Sequence, residues 1–393
     1  MSTFQVSVDT DGVANLLRNR RVATPLYGEG RIHFREDNTT VHKSLTILHT
    51  LFRFSCESLG VAPFLIQTLT TLGIKAPTEI QSKVIPPILK GRDVIGQAKT
   101  GSGKTAAFAL PILQTLARDP YGIYAVVLTP TRELAFQLAD QFRVLGASMN
   151  LRDAVIIGGL DMLPQAQLLS DRPHVVIATP GRLADHIHSN VSMHLAHCKF
   201  LVLDEVDRLM EPKFKKDLDT IMSKLPPPSK RQTLLFSATM TKEEIISQQN
   251  QFQLTPERTE FHVVKSDDDA LVAQLDQQYL FMPQNIKEVY LVYMLSKSQF
   301  AGASCIVFVS TCRGCEVISQ LLLEMGIQCE SLHSRKTQNR RLASLGKFKS
   351  GLSKVLVATD VASRGLDIPT VQLVVSRTRG DINGRMQEAP GIQ

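Results

Sequence analysis

The stretch Ala98–Thr105 constrains the fold and chemistry of this chain more than any other part of its sequence. Gly101 and Gly103 let the backbone curl so that its N–H groups point inward, where a polyphosphate can accept them. Lys104 can reach the β- and γ-phosphates, and the Thr105 hydroxyl can bind Mg²⁺. A strand pattern precedes the stretch and a helix pattern follows it, so a bound anion would lie at a helix N-terminus. The pattern predicts an α/β fold that binds a nucleoside triphosphate; the simpler alternative is a Gly-Ser turn that binds nothing.

Length and composition narrow the class of protein. At 393 residues the chain is long enough for two domains with extensions, and its net charge of +7 is compatible with a polyanionic partner. No apolar run approaches the length of a membrane span, so we predict no membrane association. Six cysteines do not form a disulfide framework in a chain of this size and favour a reducing compartment. Cys312 and Cys315 have the spacing of half a zinc site, but no second pair matches them, which favours a structural role.

Two successive series of strand and helix patterns predict two α/β domains. The first runs from Leu59 to about His262, and its strand candidates are almost wholly apolar, as strands buried on both faces of a parallel sheet must be. The second follows the polar stretch Lys265–Ala270 and has room for about two-thirds of a domain. The predicted strands are Val94–Gly96, Ala125–Thr129, Ala154–Ile157, Val175–Ala178, Phe200–Asp204, Thr233–Phe236, Cys305–Val309, Gln328–Leu332, Lys354–Thr359 and Val371–Val375.

Domain boundaries follow from these patterns. Within the N-terminal part, only residues 41–54 have a helical periodicity. We predict an irregular N-terminal extension at 1–52, a nucleotide-binding domain at 53–262, a linker at 263–273, a second and incomplete α/β domain at 274–376 and a divergent tail at 377–393.

Two adjacent carboxylates, Asp204 and Glu205, lie at the end of one strand candidate. Asp204 can hold Mg²⁺ through its water shell, and Glu205 can orient and deprotonate an attacking water molecule. A charged cap on a buried strand is the simpler alternative. The phosphate loop upstream favours the catalytic interpretation.

Short polar motifs follow the other strand candidates. Pro130–Leu134 and Thr179–Arg182 each combine a strand-end hydroxyl, a helix N-terminus and an arginine, a set that suits phosphodiester oxygens. Gly158-Gly159 would let the backbone pass close to a nucleic acid strand. Ser237-Ala238-Thr239 places two hydroxyls where they could bond to the acidic cluster. In the second domain the same chemistry recurs in Gln338–Arg341 and Thr359–Asp367.

In their order and spacing, these motifs resemble those of the DEAD-box RNA helicases. The resemblance covers roughly Leu59 to Val375 and includes Gly73–Gln81 as a further motif. It implies two RecA-like parallel-sheet domains with helices on both faces, the second incomplete at its C-terminus, closing on ATP and single-stranded RNA. It also implies ATP and Mg²⁺ as cofactors, and ATP hydrolysis coupled to local RNA unwinding or remodelling of RNA–protein particles. RNA binding would be largely independent of sequence and sensitive to salt.

The resemblance further implies a role for each matching residue. Thr78 and Gln81 would read the adenine. Lys104, Asp204 and Glu205 would act in hydrolysis, while Ser237 and Thr239 would couple it to strand separation. The implied phosphate contacts are those of the loop, Ala98, Lys99, Thr100, Gly101, Ser102, Gly103, Lys104 and Thr105, while Thr105 and Asp204 would hold Mg²⁺ and Arg364 and Asp367 would lie near the nucleotide. The implied RNA contacts are Thr131, Arg132, Gly159, Thr179, Gly181, Arg182, Gln338, Arg341 and Thr359.

Three features resemble the branch of the family that acts in small-subunit ribosome assembly. They are Val206, which replaces the usual alanine of the Asp-Glu-Ala-Asp motif, and the segments Asp119–Gly122 and Phe142–Gly146. The resemblance implies a role in rRNA processing and ribosome biogenesis. Its implied partners are pre-rRNA and pre-ribosomal proteins, and its implied location is the nucleus and nucleolus.

The chain departs from the family pattern at two places. Cys56 stands where the family has an adenine-stacking phenylalanine, and Phe54 is two residues away. The family has a His-Arg-x-Gly-Arg-x-x-Arg motif that supplies an arginine finger, and the sequence after Val375 has no counterpart of it. Because such an arginine contributes about 10³–10⁵ in rate in related enzymes, slow hydrolysis is expected, as is an exposed edge of the second sheet.

Three functions therefore stay open at the level of sequence. The first is an ATP-dependent RNA helicase, and the second is a catalytically impaired isoform that binds ATP and RNA. The third is a small-molecule kinase that uses the same phosphate loop, which would not explain the motifs of the second domain.

Overall fold

The computed structural model of the chain describes residues 2–9, 56–189, 193–239, 252, 254, 257–264, 275–296, 300–359, 368 and 371–377. The chain divides into two compact units. Residues 32–266 form the seven-stranded unit, and residues 1–31 with 267–393 form the six-stranded unit. The predicted helix at 41–54, most of the predicted linker and the tail beyond Arg377 lie outside the described residues.

The strands of the described residues match the sequence patterns closely. Every predicted strand is present with ends shifted by at most two residues, and the strands Ser2–Asp9, Thr259–Val263 and Leu275–Met282 were not predicted. In chain order the strands are β1 (Ser2–Asp9), β2 (Asp93–Gln97), β3 (Ala125–Leu128), β4 (Asp153–Ile156), β5 (Val175–Ala178), β6 (Phe200–Asp204), β7 (Gln232–Ser237), β8 (Thr259–Val263), β9 (Leu275–Met282), β10 (Cys305–Val309), β11 (Cys329–Leu332), β12 (Val355–Thr359) and β13 (Leu373–Arg377).

Helices follow most of these strands. Several begin at a hydroxyl residue whose side chain accepts a backbone N–H, which satisfies a donor that the first helical turn leaves free. In chain order the α-helices are α1 (Pro63–Thr71), α2 (Glu79–Leu89), α3 (Lys104–Leu116), α4 (Arg132–Leu145), α5 (Met162–Ser170), α6 (Pro180–His188), α7 (Val206–Leu209), α8 (Lys215–Lys224), α9 (Lys287–Ser296), α10 (Cys312–Glu324) and α11 (Gln338–Lys349). None of the helices within the described ranges has the length and apolar character that crossing a membrane requires.

The seven-stranded unit is built on a parallel sheet buried on both faces. Its strand order is β4-β5-β3-β6-β7-β2-β8, and each pairing is parallel. Successive strand residues point to opposite faces, so Val126 and Val127 of β3 enter different hydrophobic clusters. On one face the Phe108 ring of α3 lies 5.1 Å from the Phe236 ring of β7. Burial on both faces explains why these strands are apolar at nearly every position.

The six-stranded unit combines parallel and antiparallel pairing. Its strand order is β11-β12-β10-β13-β1-β9, in which the first four strands are parallel and β1 is antiparallel to both β13 and β9. Two expectations are corrected here. The N-terminal extension is not irregular throughout, because Ser2–Asp9 forms β1, in which Phe4, Val6 and Val8 alternate with polar residues. The edge of β13 is not exposed, because β1 pairs with it.

Candidate functional site

The phosphate loop lies between β2 and α3, as the sequence predicts. Gly101 and Gly103 have φ angles of +76° and +88°, a conformation that favours glycine. A Cβ atom on Gly103 would also lie 2.5 Å from Nε2 of Gln81, so a larger residue would have to displace the Gln81 side chain. Lys104 Nζ donates to the carbonyl oxygens of Ala98 at 2.5 Å and Lys99 at 3.0 Å. The ammonium group is therefore held among oxygen acceptors of the loop, where a phosphate oxygen would compete for it.

Thr78 and Gln81 connect the start of α2 to this loop. They form a capping box in which Thr78 N donates to Oε1 of Gln81 at 2.9 Å. Nε2 of Gln81 donates to the carbonyl oxygen of Gly103 at 3.1 Å. The buried Gln81 amide thus already bonds to the phosphate loop, and its contact with adenine stays a prediction.

Cys56 lies in the wall of a small apolar cavity beside this region. The cavity is lined by Cys56, Leu59, Ile74, Pro77 and Gln81, among others. Cys56 is 2% exposed, and burial raises the pKa of its thiol. The side chain at this position therefore belongs to the hydrophobic core. Phe54, the other aromatic candidate, lies outside the described residues.

The paired carboxylates lie at the end of β6, a central strand of the sheet, where Asp204 is the last strand residue and Glu205 follows it. Asp204 is 5% exposed, and burial raises its pKa to about 6, although the charge of Lys104 opposes the shift. Burial likewise raises the pKa of Glu205 to about 7, against the opposing charge of Arg208, whose Nη1 lies 3.3 Å from Oε2 of Glu205. Burial lowers the pKa of Lys104, while Asp204, Glu205 and Asp207 oppose that shift. Arg208 was not predicted from the sequence, although it stands three residues after Glu205, which directly precedes α7.

The oxygen atoms of the acidic residues at the end of β6 and of the phosphate loop suit a hard cation. Asp207 Oδ1 and Ser102 Oγ are buried and have no hydrogen-bond partner among the described residues. Asp204 uses Oδ1 to accept the N–H of Glu205 at 3.1 Å. Carboxylate and hydroxyl oxygens are the ligands that Mg²⁺ prefers, so Asp204 and Thr105 are suitable residues to hold it.

The Ser237–Thr239 segment bonds to the acidic cluster, as predicted. Thr239 N donates to Oγ of Ser237 at 3.1 Å, and Thr239 Oγ1 donates to Oδ2 of Asp207 at 2.7 Å. The end of β7 is therefore linked to the residues that follow β6. Its role in coupling hydrolysis to strand separation stays a prediction.

The candidate RNA residues of the seven-stranded unit follow β3, β4 and β5, which are neighbours in the sheet. Thr131 caps α4 by accepting the N–H of Leu134 at 3.3 Å, and Arg132 is the first residue of that helix. Gly159 has a φ angle of +82° in the loop after β4. Thr179 precedes α6, whose first turn contains Gly181 and Arg182. The topology thus brings these six residues to one edge of one sheet.

The candidate RNA residues of the six-stranded unit lie on α11 and β12. Gln338 and Arg341 are one helical turn apart at the start of α11, and Thr359 is the last residue of β12. Gln338 and Thr359 are buried. Asp367 and Arg364, predicted to lie near the nucleotide, are outside the described residues.

Cys312 and Cys315 lie in the first turn of α10, and their sulfur atoms have different partners. Cys315 is buried with Sγ 3.0 Å from the carbonyl oxygen of Val357, while Sγ of Cys312 lies 3.4 Å from Oγ of Ser334. No group of three or more His, Cys, Asp or Glu side chains suited to a metal ion occurs within the described part of the chain.

Two family models match the chain. The DEAD/DEAH box helicase model matches residues 78–246, and the helicase conserved C-terminal domain model matches residues 286–379. Two solved structures are similar over most of the chain. S. cerevisiae Dbp5 bound to RNA and ADP BeF3 has 25% identity and a TM-score of 0.64, covering 81% of this chain and 78% of its own. Mss116p bound to ssRNA and AMP-PNP has 28% identity and a TM-score of 0.67, and the match covers 82% of this chain and 67% of Mss116p.

Curated relatives are similar over the same region. The probable ATP-dependent RNA helicase ddx49 of Dictyostelium discoideum is 50% identical over 81% of this chain and 62% of its own length. Human probable ATP-dependent RNA helicase DDX49 is 48% identical over 81% of this chain and 65% of its own length. The chain therefore spans less than two-thirds of the length of either relative. The ATP-dependent RNA helicase dbp8 of Schizosaccharomyces pombe is 49% identical over 82% of this chain and 72% of its own length. Together with the sheets and loops described above, these matches show that the chain belongs to the DEAD-box helicase family.

Proposed function

We propose that the protein is an ATP-dependent RNA helicase that couples ATP hydrolysis to local unwinding of RNA or remodelling of RNA–protein particles. The observation that carries the proposal is the convergence of Lys104, Asp204 and Glu205 at the carboxyl edge of one parallel sheet. Ligands bind at this edge in open α/β sheets. The names of the relatives, ATP-dependent RNA helicases, support the same activity.

Each residue of this cluster has a chemical task in the proposal. Lys104 and the backbone N–H groups of the loop bind the phosphates, and Thr105 with Asp204 would hold Mg²⁺, which neutralises charge on the phosphate oxygens when bound. Glu205 accepts the proton of the attacking water. Its pKa of about 7 suits this task, because a general base works best when its pKa lies near the working pH.

RNA is proposed to bind through its backbone. Hydroxyls, glycine backbone and arginines make contacts to phosphate and sugar that carry little sequence information. Dbp5 and Mss116p, whose solved structures contain RNA, support RNA as the ligand class. The proposed contacts are Thr131, Arg132, Gly159, Thr179, Gly181 and Arg182 in the seven-stranded unit and Gln338, Arg341 and Thr359 in the six-stranded unit.

The cellular role proposed is rRNA processing during ribosome biogenesis in the nucleolus, with pre-rRNA and pre-ribosomal proteins as partners. It rests on the resemblance of Val206, Asp119–Gly122 and Phe142–Gly146 to the small-subunit branch of the family. Depletion of the protein should make small-subunit pre-rRNA precursors accumulate on northern blots. Unchanged precursor levels would contradict this role without affecting the proposed activity.

The activity is tested by ATP hydrolysis with and without single-stranded RNA, beside a Glu205→Gln variant. We expect turnover that RNA stimulates and that the variant abolishes. ATP binding with turnover no greater than that of Glu205→Gln would instead identify the impaired isoform, which the comparisons do not support. Phosphorylation of a small substrate without RNA binding would identify the kinase.

A further inference from the structure

The loop at residues 157–161 joins β4 to α5 and presents two glycines at the surface. β4 is an edge strand, so another strand pairs with it on one side. Gly158 is half-buried, and Gly159 is exposed with its φ angle of +82°. A loop of this kind has few means of holding one conformation by strand pairing alone.

Gln165 of α5 supplies the missing contacts from the buried side. It is 4% exposed, and its amide bonds to both ends of the loop. Oε1 accepts the N–H of Ile157 at 2.9 Å, while Nε2 donates to the carbonyl oxygens of Ile157 at 3.1 Å and Asp161 at 2.9 Å. These bonds use both amide donors and the amide oxygen. The side chain thus engages the backbone of Ile157 much as a neighbouring strand would.

Two arginines border the same loop. Arg182 Nη1 donates to the carbonyl oxygen of Leu160 at 2.8 Å. The Arg132 guanidinium lies so close to Gly158 that an added Cβ would be 3.1 Å from its Nη2 atom. Any shift of the loop backbone would therefore move the oxygen that anchors Arg182 and the surface that Arg132 contacts.

We propose that Gln165 is a positioning residue for RNA, whose buried amide holds the Gly158-Gly159 loop and the arginines beside it in the arrangement that accepts a phosphodiester backbone. The inference rests on the proposed function, because it requires RNA to be the ligand of this edge. A loop that is ordered before the RNA arrives loses less conformational entropy on binding and therefore binds more tightly.

The chain offers a matched control for a purely structural effect. Gln114 of α3 is 9% exposed, and its amide also clamps a loop, accepting the N–H of Ala62 at 2.8 Å and donating to the carbonyl oxygen of Gly60 at 2.8 Å. None of the predicted RNA contacts lies on that loop. Loss of either amide should lower the stability of the seven-stranded unit, whereas only loss of Gln165 should change RNA binding.

The test compares Gln165→Leu, Gln165→Glu and Gln114→Leu in the full chain. Gln165→Glu nearly preserves the shape but turns a carboxylate toward the carbonyl oxygens of Ile157 and Asp161, so it removes the donors without leaving a cavity. Binding of a fluorescently labelled oligouridine is measured by anisotropy, ATP binding by calorimetry and stability by thermal unfolding. RNA-stimulated ATP hydrolysis is measured as a function of RNA concentration.

We expect both Gln165 variants to weaken RNA binding about tenfold, a difference of about 1.4 kcal/mol, with ATP affinity unchanged. The RNA concentration for half-maximal ATPase stimulation should rise by a similar factor while kcat at saturating RNA is retained. Gln114→Leu should lower the unfolding temperature and keep wild-type RNA affinity. Wild-type RNA affinity in Gln165→Glu would overturn the inference. Failure of the unmodified chain to bind the oligouridine would instead overturn the proposed function, so the two failures are distinguishable.

Discussion

Acidic side chains experience opposite environments in the two units. In the seven-stranded unit, burial raises the pKa of Asp204 to about 6 and that of Glu205 to about 7. In the six-stranded unit, burial would also raise the pKa of Glu330, but hydrogen bonds from Lys347 and Ser344 outweigh it and the pKa is lowered. These carboxylates thus differ in whether the fold favours or opposes their charge.

This difference separates a reactive site from a supporting one. A buried acid whose charge is poorly compensated reduces stability when ionised, and such groups concentrate at functional sites because protons or ligands can satisfy them there. Glu330 is already paired with a lysine and a hydroxyl, so it is not poised to bind a proton or a ligand. Its hydrogen bonds instead help to hold α11 on the sheet. This contrast supports the proposal that the hydrolytic chemistry lies in the seven-stranded unit.

The largest effect is expected from removing one lysine in each unit. Lys104 Nζ donates to backbone carbonyl oxygens of the phosphate loop, and Lys336 Nζ donates to the carbonyl oxygen of Ser331 at 2.9 Å. Of the two, Lys104 alone belongs to the phosphate loop Ala98–Thr105. We expect Lys104→Ala to reduce ATP turnover about a hundredfold or more, since the ammonium stabilises charge that develops on the phosphates.

The matched variant Lys336→Ala should leave ATP turnover at saturating RNA close to that of the wild type. Turnover is measured in steady state for both variants, and ATP binding by calorimetry. Equal losses in the two variants would show that the phosphate site is not confined to the Ala98–Thr105 loop.

A smaller effect is expected on the pH dependence of stability. Glu205 has a folded pKa of about 7 against an ordinary value of 4.5, so the folded state binds its proton more tightly. Its contribution to stability therefore falls as the pH rises from about 4.5 to 7, and the full penalty is present above that range. Glu205→Gln removes this penalty and should raise the unfolding temperature by several degrees above pH 7, while abolishing turnover.

Glu330→Gln should have the opposite sign. The folded pKa of Glu330 is lowered, so its stabilising contribution is present above its ordinary pKa of 4.5 and is lost as the pH falls through the folded value. The variant should unfold at a lower temperature than the wild type at neutral pH, and the difference should vanish in strong acid. Thermal unfolding across this pH range, without nucleotide or divalent cation, checks both signs. A lower unfolding temperature for Glu205→Gln at high pH would contradict the reactive-site interpretation.

The parallel core of each unit could be predicted from sequence because burial on both faces leaves a distinct signal. Strands such as β3, with the sequence Ala-Val-Val-Leu, are apolar at successive positions, and their neighbours end in polar motifs. The phosphate loop was equally predictable, since its geometry demands Gly103 and Lys104 at fixed positions. These signals are local in the chain.

What the sequence did not predict depends on distant partners. β1 is a short alternating stretch whose pairing partners, β13 and β9, lie more than 260 residues away in the chain. Gln165 is an ordinary amide in a helical pattern, and its role depends on where the backbone of Ile157 comes to lie. Neither contact has a spacing rule that could have identified it.

The smallest predicted effect concerns the cysteines, of which Cys312 of the six-stranded unit is partly exposed and the other five are buried. Hydrogen bonding to Ser334 lowers the pKa of the partly exposed Cys312 thiol, whereas burial raises the pKa of Cys198 in the seven-stranded unit to about 12. Because the thiolate is the reactive form, iodoacetamide at neutral pH should modify Cys312 first, while the other five of the six cysteines, all buried, react slowly. Mass spectrometry of the time course identifies the modified residue, and Cys312→Ser should remove the fast phase with little change in ATP turnover. Fast labelling of Cys198 would mean that the seven-stranded unit opens locally more often than its closely packed sheet implies, because a thiol buried in that sheet reacts only when the unit opens.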